Sequence, residues 1–150
     1  MLYAYFNQFR KHFPGPYAYF RTTQGVDDAV VIFCEGTEQH IASLFYWDDH
    51  LPHELAANVI CHALNEQLRS GGGDADEWQP RLSEYELAAF RGMHPGPFAI
   101  SRFTCPLYGR RWEVRCRTTR RSVIISDTSA PRLERVATAT IASVLNALPE

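Results

Sequence analysis

Lysine is nearly absent from this chain of 150 residues: Lys11 stands alone against 14 arginines. Where the arginines cluster therefore matters more than how many there are. Cysteine is sparse too, and Cys34, Cys61, Cys105 and Cys116 form no Cys-x-x-Cys pair. That spacing argues against a structural zinc site and against a dense disulfide framework, leaving buried reduced thiols as the expectation. No apolar run reaches the ~18 residues of a membrane span, and Met1-Leu2-Tyr3 opens without the basic, apolar and small-residue series of a signal peptide. A soluble protein of the cytoplasm is expected, with the nucleus left open and no membrane partner. Gly71-Gly72-Gly73 runs into Asp74 rather than into Lys and a hydroxyl residue, so no phosphate-binding loop is present, and His-Glu-x-x-His is missing. The mixed cluster Asp48-Asp49-His50-Leu51-Pro52-His53-Glu54 reads as helix capping by Asp48 or Asp49 rather than as a metal site, because Pro52 breaks helical ligand spacing. Cys61 and His62 are adjacent, hence point apart on one helix. No catalytic residue, metal or cofactor is expected, and the protein is read as a non-enzyme.

What the chain does contain is a repeat. Pro14-Gly15-Pro16-Tyr17-Ala18 matches Pro95-Gly96-Pro97-Phe98-Ala99 at an offset of 81, and the same offset pairs Phe9-Arg10 with Phe90-Arg91, Ile60 with Ile141 and Leu64-Asn65 with Leu145-Asn146. Two related units, 1–69 and 83–150, are joined by a Gly- and Asp-rich linker over 70–82.

Each unit gives the same order of elements. Phe6, Phe9 and Phe13 share a helical face ahead of the first Pro-Gly-Pro turn. In the second unit Ser83 and Glu86 form a capping box, with Leu82 and Leu87 placed as a hydrophobic staple. Three extended segments rich in Val, Ile and aromatics follow, 17–23, 29–35 and 40–47 in the first unit and 98–104, 111–117 and 122–126 in the second. A long amphipathic helix closes each unit, Leu55-Val59-Ile60-Ala63-Leu64-Leu68 and Leu133-Val136-Ala137-Ile141-Val144-Leu145 recurring at three- and four-residue steps. The expected fold class is α+β: two α-β-β-β-α units, each a three-stranded antiparallel sheet with two helices on one face.

This order, with a Pro-aromatic start to the first strand and a closing helix ending in an Ala-Leu type pair, resembles the double-stranded RNA-binding domain family, which is often found in tandem copies. The resemblance implies RNA contact through the first helix, the loop between the first two strands and a lysine-rich start to the last helix. Registering the closing pair on Ala63-Leu64 and Val144-Leu145 puts the lysine positions on Pro52, His53 and Ala56, and on Leu133, Glu134 and Ala137. No lysine is there, although Arg132 and Arg135 flank the place in the second unit. The first-loop Gly-Pro-x-His pattern is replaced by Gly25-Val26-Asp27-Asp28 and by Cys105-Pro106-Leu107-Tyr108-Gly109. Both units are thus degenerate at the family's contact motifs.

The net charge of -2 conceals an asymmetry. The first unit has 4 basic residues against 8 acidic ones and the second has 10 against 6. Phosphate contacts dominate affinity for RNA, so the acidic unit would repel it. The basic unit concentrates its charge in Arg110-Arg111-Trp112-Glu113-Val114-Arg115-Cys116-Arg117-Thr118-Thr119-Arg120-Arg121. Strand alternation sends Trp112, Val114 and Cys116 to one face and Arg111, Glu113, Arg115 and Arg117 to the open one. Arg110, Arg111, Arg115, Arg117, Arg120, Arg121, Arg132 and Arg135 are the candidate binding residues, able to grip phosphates or carboxylates or to act as a solvated face. The expected function is an adaptor working through protein contacts or as a homodimer, with residual RNA binding in the second unit. The alternatives are a true double-stranded RNA binder using the Arg110 to Arg121 hairpin and, in another class, a small acidic secretion-type chaperone or immunity protein.

Overall fold

A computed structural model of the chain describes residues 2–22, 28–46, 51–70, 82–105, 109–126 and 131–148. The glycine linker, the Asp48 to His50 cluster, the Gly25 to Asp27 loop and Pro106 to Tyr108 lie outside the described residues. Among the described residues ten elements follow one another: α1 (Leu2–His12), β1 (Tyr17–Thr22), β2 (Asp28–Cys34), β3 (Gln39–Tyr46), α2 (Leu51–Ser70), α3 (Glu84–Met93), β4 (Phe98–Cys105), β5 (Gly109–Cys116), β6 (Ser122–Ser126) and α4 (Pro131–Asn146). Ser83 is the N-cap predicted for α3, its side chain accepting from the Glu86 N–H at 3.0 Å, while the Glu86 carboxylate meets the Ser83 hydroxyl at 3.2 Å rather than the backbone N–H of a full capping box.

The α+β class holds, but the strands form one six-stranded antiparallel sheet, in the order β1-β2-β3-β6-β5-β4, instead of two sheets of three. β3 and β6 join at the centre, Ala42 opposite Ser126 and Ser43 opposite Ile125. The physical reason is that two separate meanders would each leave an unpaired inner edge, and pairing those edges satisfies both. α2 lies on β1, β2 and β3, α4 lies on β3 to β6, and the two helices touch, so they share one face of the sheet.

The first helix of each half packs along the closing helix of the other: α1 along α4, and α3 along α2. Side chains of both halves meet in one hydrophobic cluster, with Phe9, Phe13, Ile32, Ile60 and Leu64 beside Phe90, Ile124, Ile141 and Leu145. Truncating a fully buried ring such as Phe9 or Phe90 to alanine is expected to cost about 3–5 kcal/mol.

The repeat is also visible in hydrogen bonds. Asn65 near the end of α2 donates to the Tyr17 carbonyl and accepts from the Tyr17 N–H, both at 2.9 Å. Asn146 at the end of α4 does the same to Phe98, at 2.9 and 2.8 Å. Each amide mimics a strand neighbour, locking the closing helix to the first residue of its sheet edge. Gly15 donates its N–H to the Cys34 thiol at 3.2 Å, and Gly96 to that of Cys116 at 3.3 Å. Both glycines hold positive φ, +85° and +81°, and a Cβ on Gly15 would meet the Leu68 side chain at 2.7 Å. The cysteines are 82 residues apart, not 81, because the second copy carries one extra residue before β5 and loses it before α4.

Candidate functional site

β5 carries the arginine run, and its alternation is set by the core. Val114 and Cys116 are fully buried beneath α4, while Trp112 stays half-buried at the end of the same face. Arg102, directly across on β4, and Arg135, from the second turn of α4, bring their guanidinium carbons to 5.4 and 5.5 Å from the Trp112 ring centre. This is cation–π geometry. Arg102 was not legible as a site residue, because only the register Arg102 opposite Trp112 reveals it.

Three of the eight predicted arginines are engaged within the molecule. Arg111 reaches Glu134 of α4 at 2.9 Å, so its guanidinium is not free on the open sheet face as expected. Glu134 is buried, and a buried carboxylate needs a cation and donors, which is what draws Arg111 to it. Arg115 binds Glu113 at 2.9 Å and donates to the Arg120 carbonyl at 2.8 Å. Glu113 itself is only 3 % exposed and accepts from Ser101 on β4 at 3.0 Å. Arg135 stacks on Trp112.

The remaining five, Arg110, Arg117, Arg120, Arg121 and Arg132, are exposed and pair with no carboxylate among the described residues. They separate into two groups. Arg117, Arg120 and Arg121 crown the β5–β6 hairpin, and Arg110 and Arg132 flank the Trp112 stack at the other end of the strand. Seven extended residues span about 23 Å at roughly 3.3 Å each, so the two groups form separate patches.

At the base of the crowned hairpin sits Cys116. Burial alone would raise its pKa, but hydrogen bonds from Thr119 and from the backbone of Gly96 and Thr118 outweigh that and hold it below the usual thiol range. His94, its ring tilted against that of Phe90 with the centroids 5.4 Å apart, is held below the ordinary histidine range by burial first, then by Arg121 and His53.

A second feature lies between α2, α3 and the end of α4. A cavity of about 430 Å³ is lined by His62, Glu66, Leu82, Leu87, Val144 and Leu148. Burial lowers the pKa of His62, whose Nδ1 is buried with no hydrogen bond among the described residues. Cys61, its neighbour in sequence, is fully buried and its thiol is pushed well up by burial, so it stays protonated at neutral pH. Among the described residues no three His, Cys, Asp or Glu side chains converge as metal ligands, and no described helix is long and apolar enough to cross a membrane.

Comparison with models of protein families, with curated proteins and with solved structures finds no match for this chain. Its chemistry rests on its own geometry.

Proposed function

We propose that the protein is a non-enzymatic binding or adaptor module, built from two degenerate units like the double-stranded RNA-binding domain, that captures an acidic protein segment with the arginines of its second half. The observation that carries this reading is that Arg117, Arg120 and Arg121 stand exposed on one tight turn, with no carboxylate partner among the described residues. Three planar forks on a rigid hairpin suit carboxylates presented close together on a peptide.

A duplex is the second reading. It is favoured by Arg132 and Arg135, which stand exposed at the start of α4 and flank the positions Leu133, Glu134 and Ala137 where the family resemblance places its lysines. A phosphate backbone, however, asks for cations in an unbroken strip. Here the arginines between the two patches are neutralised within the molecule, Arg111 by Glu134 and Arg115 by Glu113, and the first half is acidic. A short acidic peptide needs only one patch.

The test is a titration with a fluorescent ten-residue oligoglutamate, with double-stranded RNA, single-stranded RNA and duplex DNA in parallel, at about 20 and 200 mM salt. The peptide should bind at low salt and lose at least tenfold in affinity in the Arg117→Ala/Arg120→Ala/Arg121→Ala variant. Peptide affinity unchanged in that variant would overturn the reading. Duplex RNA bound more tightly than peptide, and weakened by Arg132→Ala/Arg135→Ala, would establish the second one.

A further inference from the structure

The β2–β3 and β5–β6 hairpins are the same turn carrying opposite charge. At an offset of 82, Glu35 corresponds to Arg117, Glu38 to Arg120 and Gln39 to Arg121. The backbone geometry matches. Glu38 and Arg120 both sit at φ 60°, a conformation uncommon for residues with a side chain. The Glu35 N–H donates to the Pro16 carbonyl, and the Arg117 N–H to that of Pro97, each at 2.9 Å. Glu35, Glu38, Arg117, Arg120 and Arg121 are all exposed, and none has an ion pair among the described residues.

The two tips also face apart. β3 and β6 are antiparallel neighbours at the centre of the sheet, and each tip precedes one of them. The acidic tip therefore leaves one end of the sheet and the basic tip leaves the other.

We propose that a second copy of this chain is an occupant of the arginine tip: Glu35 and Glu38 of each copy dock on Arg117, Arg120 and Arg121 of the other. A copy turned end for end sets acid against base at both ends at once. The two contacts are then identical, and the assembly closes as a two-fold dimer. A single cluster of exposed ion pairs is weak, but the second contact forms within a complex already joined, which multiplies the affinity. The same arrangement disfavours the parallel alignment, which would put like charges together. This proposal rests on the binding reading above, since it identifies one acidic segment that the arginine tip captures.

The experiment is sedimentation velocity of the full chain from about 5 µM to 1 mM at about 20 and 300 mM salt. Alongside the wild type go Glu35→Arg/Glu38→Arg and Arg117→Glu/Arg120→Glu. Each substitution installs the side chain that the equivalent turn already holds, Glu38 and Arg120 sharing the same φ, so both variants are expected to keep the wild-type circular dichroism and melting temperature. The wild type should dimerise at low salt, with a dissociation constant at least tenfold weaker at high salt. Each variant alone should be monomeric, and a one-to-one mixture of the two should recover the dimer, because acid again meets base at both ends. Dimerisation of either variant alone as strong as that of the wild type would overturn the proposal, as would growth beyond two chains with concentration. A wild type monomeric at 1 mM and low salt would overturn it too. If that monomer still binds the oligoglutamate peptide, the adaptor reading stands without self-docking, and if it does not, both fall.

Discussion

Replacing each of the two helix-end asparagines by alanine tests how far burial sets the cost of one interaction. Asn65 and Asn146 make the same pair of hydrogen bonds, 48 residues back along the chain, to a backbone N–H and carbonyl. Only their surroundings differ: Asn65 is 1 % exposed and its contacts are buried, whereas Asn146 stands at the surface with contacts that are only partly buried. In Asn65→Ala the Tyr17 N–H and carbonyl lose their partner where water cannot follow, and two such groups cost about 3 kcal/mol together. In Asn146→Ala water reaches the freed Phe98 groups, and the loss falls to about 1 kcal/mol. Alanine's helix propensity returns a few tenths of a kcal/mol at Asn65, inside α2, and less at Asn146, the last residue of α4, a difference too small to reverse the order. At this chain length 1 kcal/mol shifts the melting temperature by about 3 °C, giving drops of about 9 °C and about 3 °C. Urea unfolding monitored by tryptophan fluorescence, with scanning calorimetry as a second probe, measures both. Equal losses, or a larger loss for Asn146→Ala, would refute the argument from burial.

Three further outcomes are expected. Arg111→Ala strands the buried Glu134 carboxylate and should cost about 3 kcal/mol in urea unfolding, while Arg111→Met/Glu134→Met should recover most of it. Because the pKa of His94 is depressed in the folded chain, the unfolded chain binds protons more readily, so stability is present above about pH 6.5 and declines as the pH falls below it. His94→Phe, which installs the residue that Phe13 provides in the first repeat, should make the decline of melting temperature between pH 7 and pH 5 shallower, leaving the part due to His62. Residues 1–70 expressed alone leave β3 without β6 and α2 without α3 and α4, and a thermal melt followed by circular dichroism should show no cooperative transition.

Much of the fold could be read in advance because the signals were local. Ser83 and Glu86 mark a helix start by their own hydrogen bonds, and the alternation in 111–117 and 122–126 marks strands whichever sheet they join. What escaped was pairing between distant segments. The β3–β6 join is made by Ala42, Ser43, Ser126 and Ile125, a mix of small, polar and apolar residues that no hydrophobic pattern distinguishes from an outer edge. The exchange of first helices escaped for a related reason: the face of Phe6, Phe9 and Phe13 says that α1 must be buried, but not against which closing helix. In the arginine surface, alternation assigned faces correctly for Val114 and Cys116. It could not foresee that Glu134, 23 residues further along, would claim Arg111, or that Arg102 would arrive opposite Trp112.

The duplicated halves differ in a way that follows from what each position costs to change. The asparagine clasps, the glycines at positive φ and the thiols that accept from them are the same in both copies, and each binds backbone atoms near a sheet edge. Altering any of them removes hydrogen bonds or adds backbone strain, at a cost of one to several kcal/mol on the scale of typical protein stability, about 5–15 kcal/mol. The hairpin tips hold the same backbone but are exposed, where a change of charge costs only a few tenths of a kcal/mol. A duplicated fold is thus free to diverge at its tips and held fixed at its clasps, and the reversal from Glu35 and Glu38 to Arg117 and Arg120 is found on the exposed side of that division. The acidic half and the basic half are therefore one scaffold presenting two surfaces, and the proposed binding draws on the difference between them.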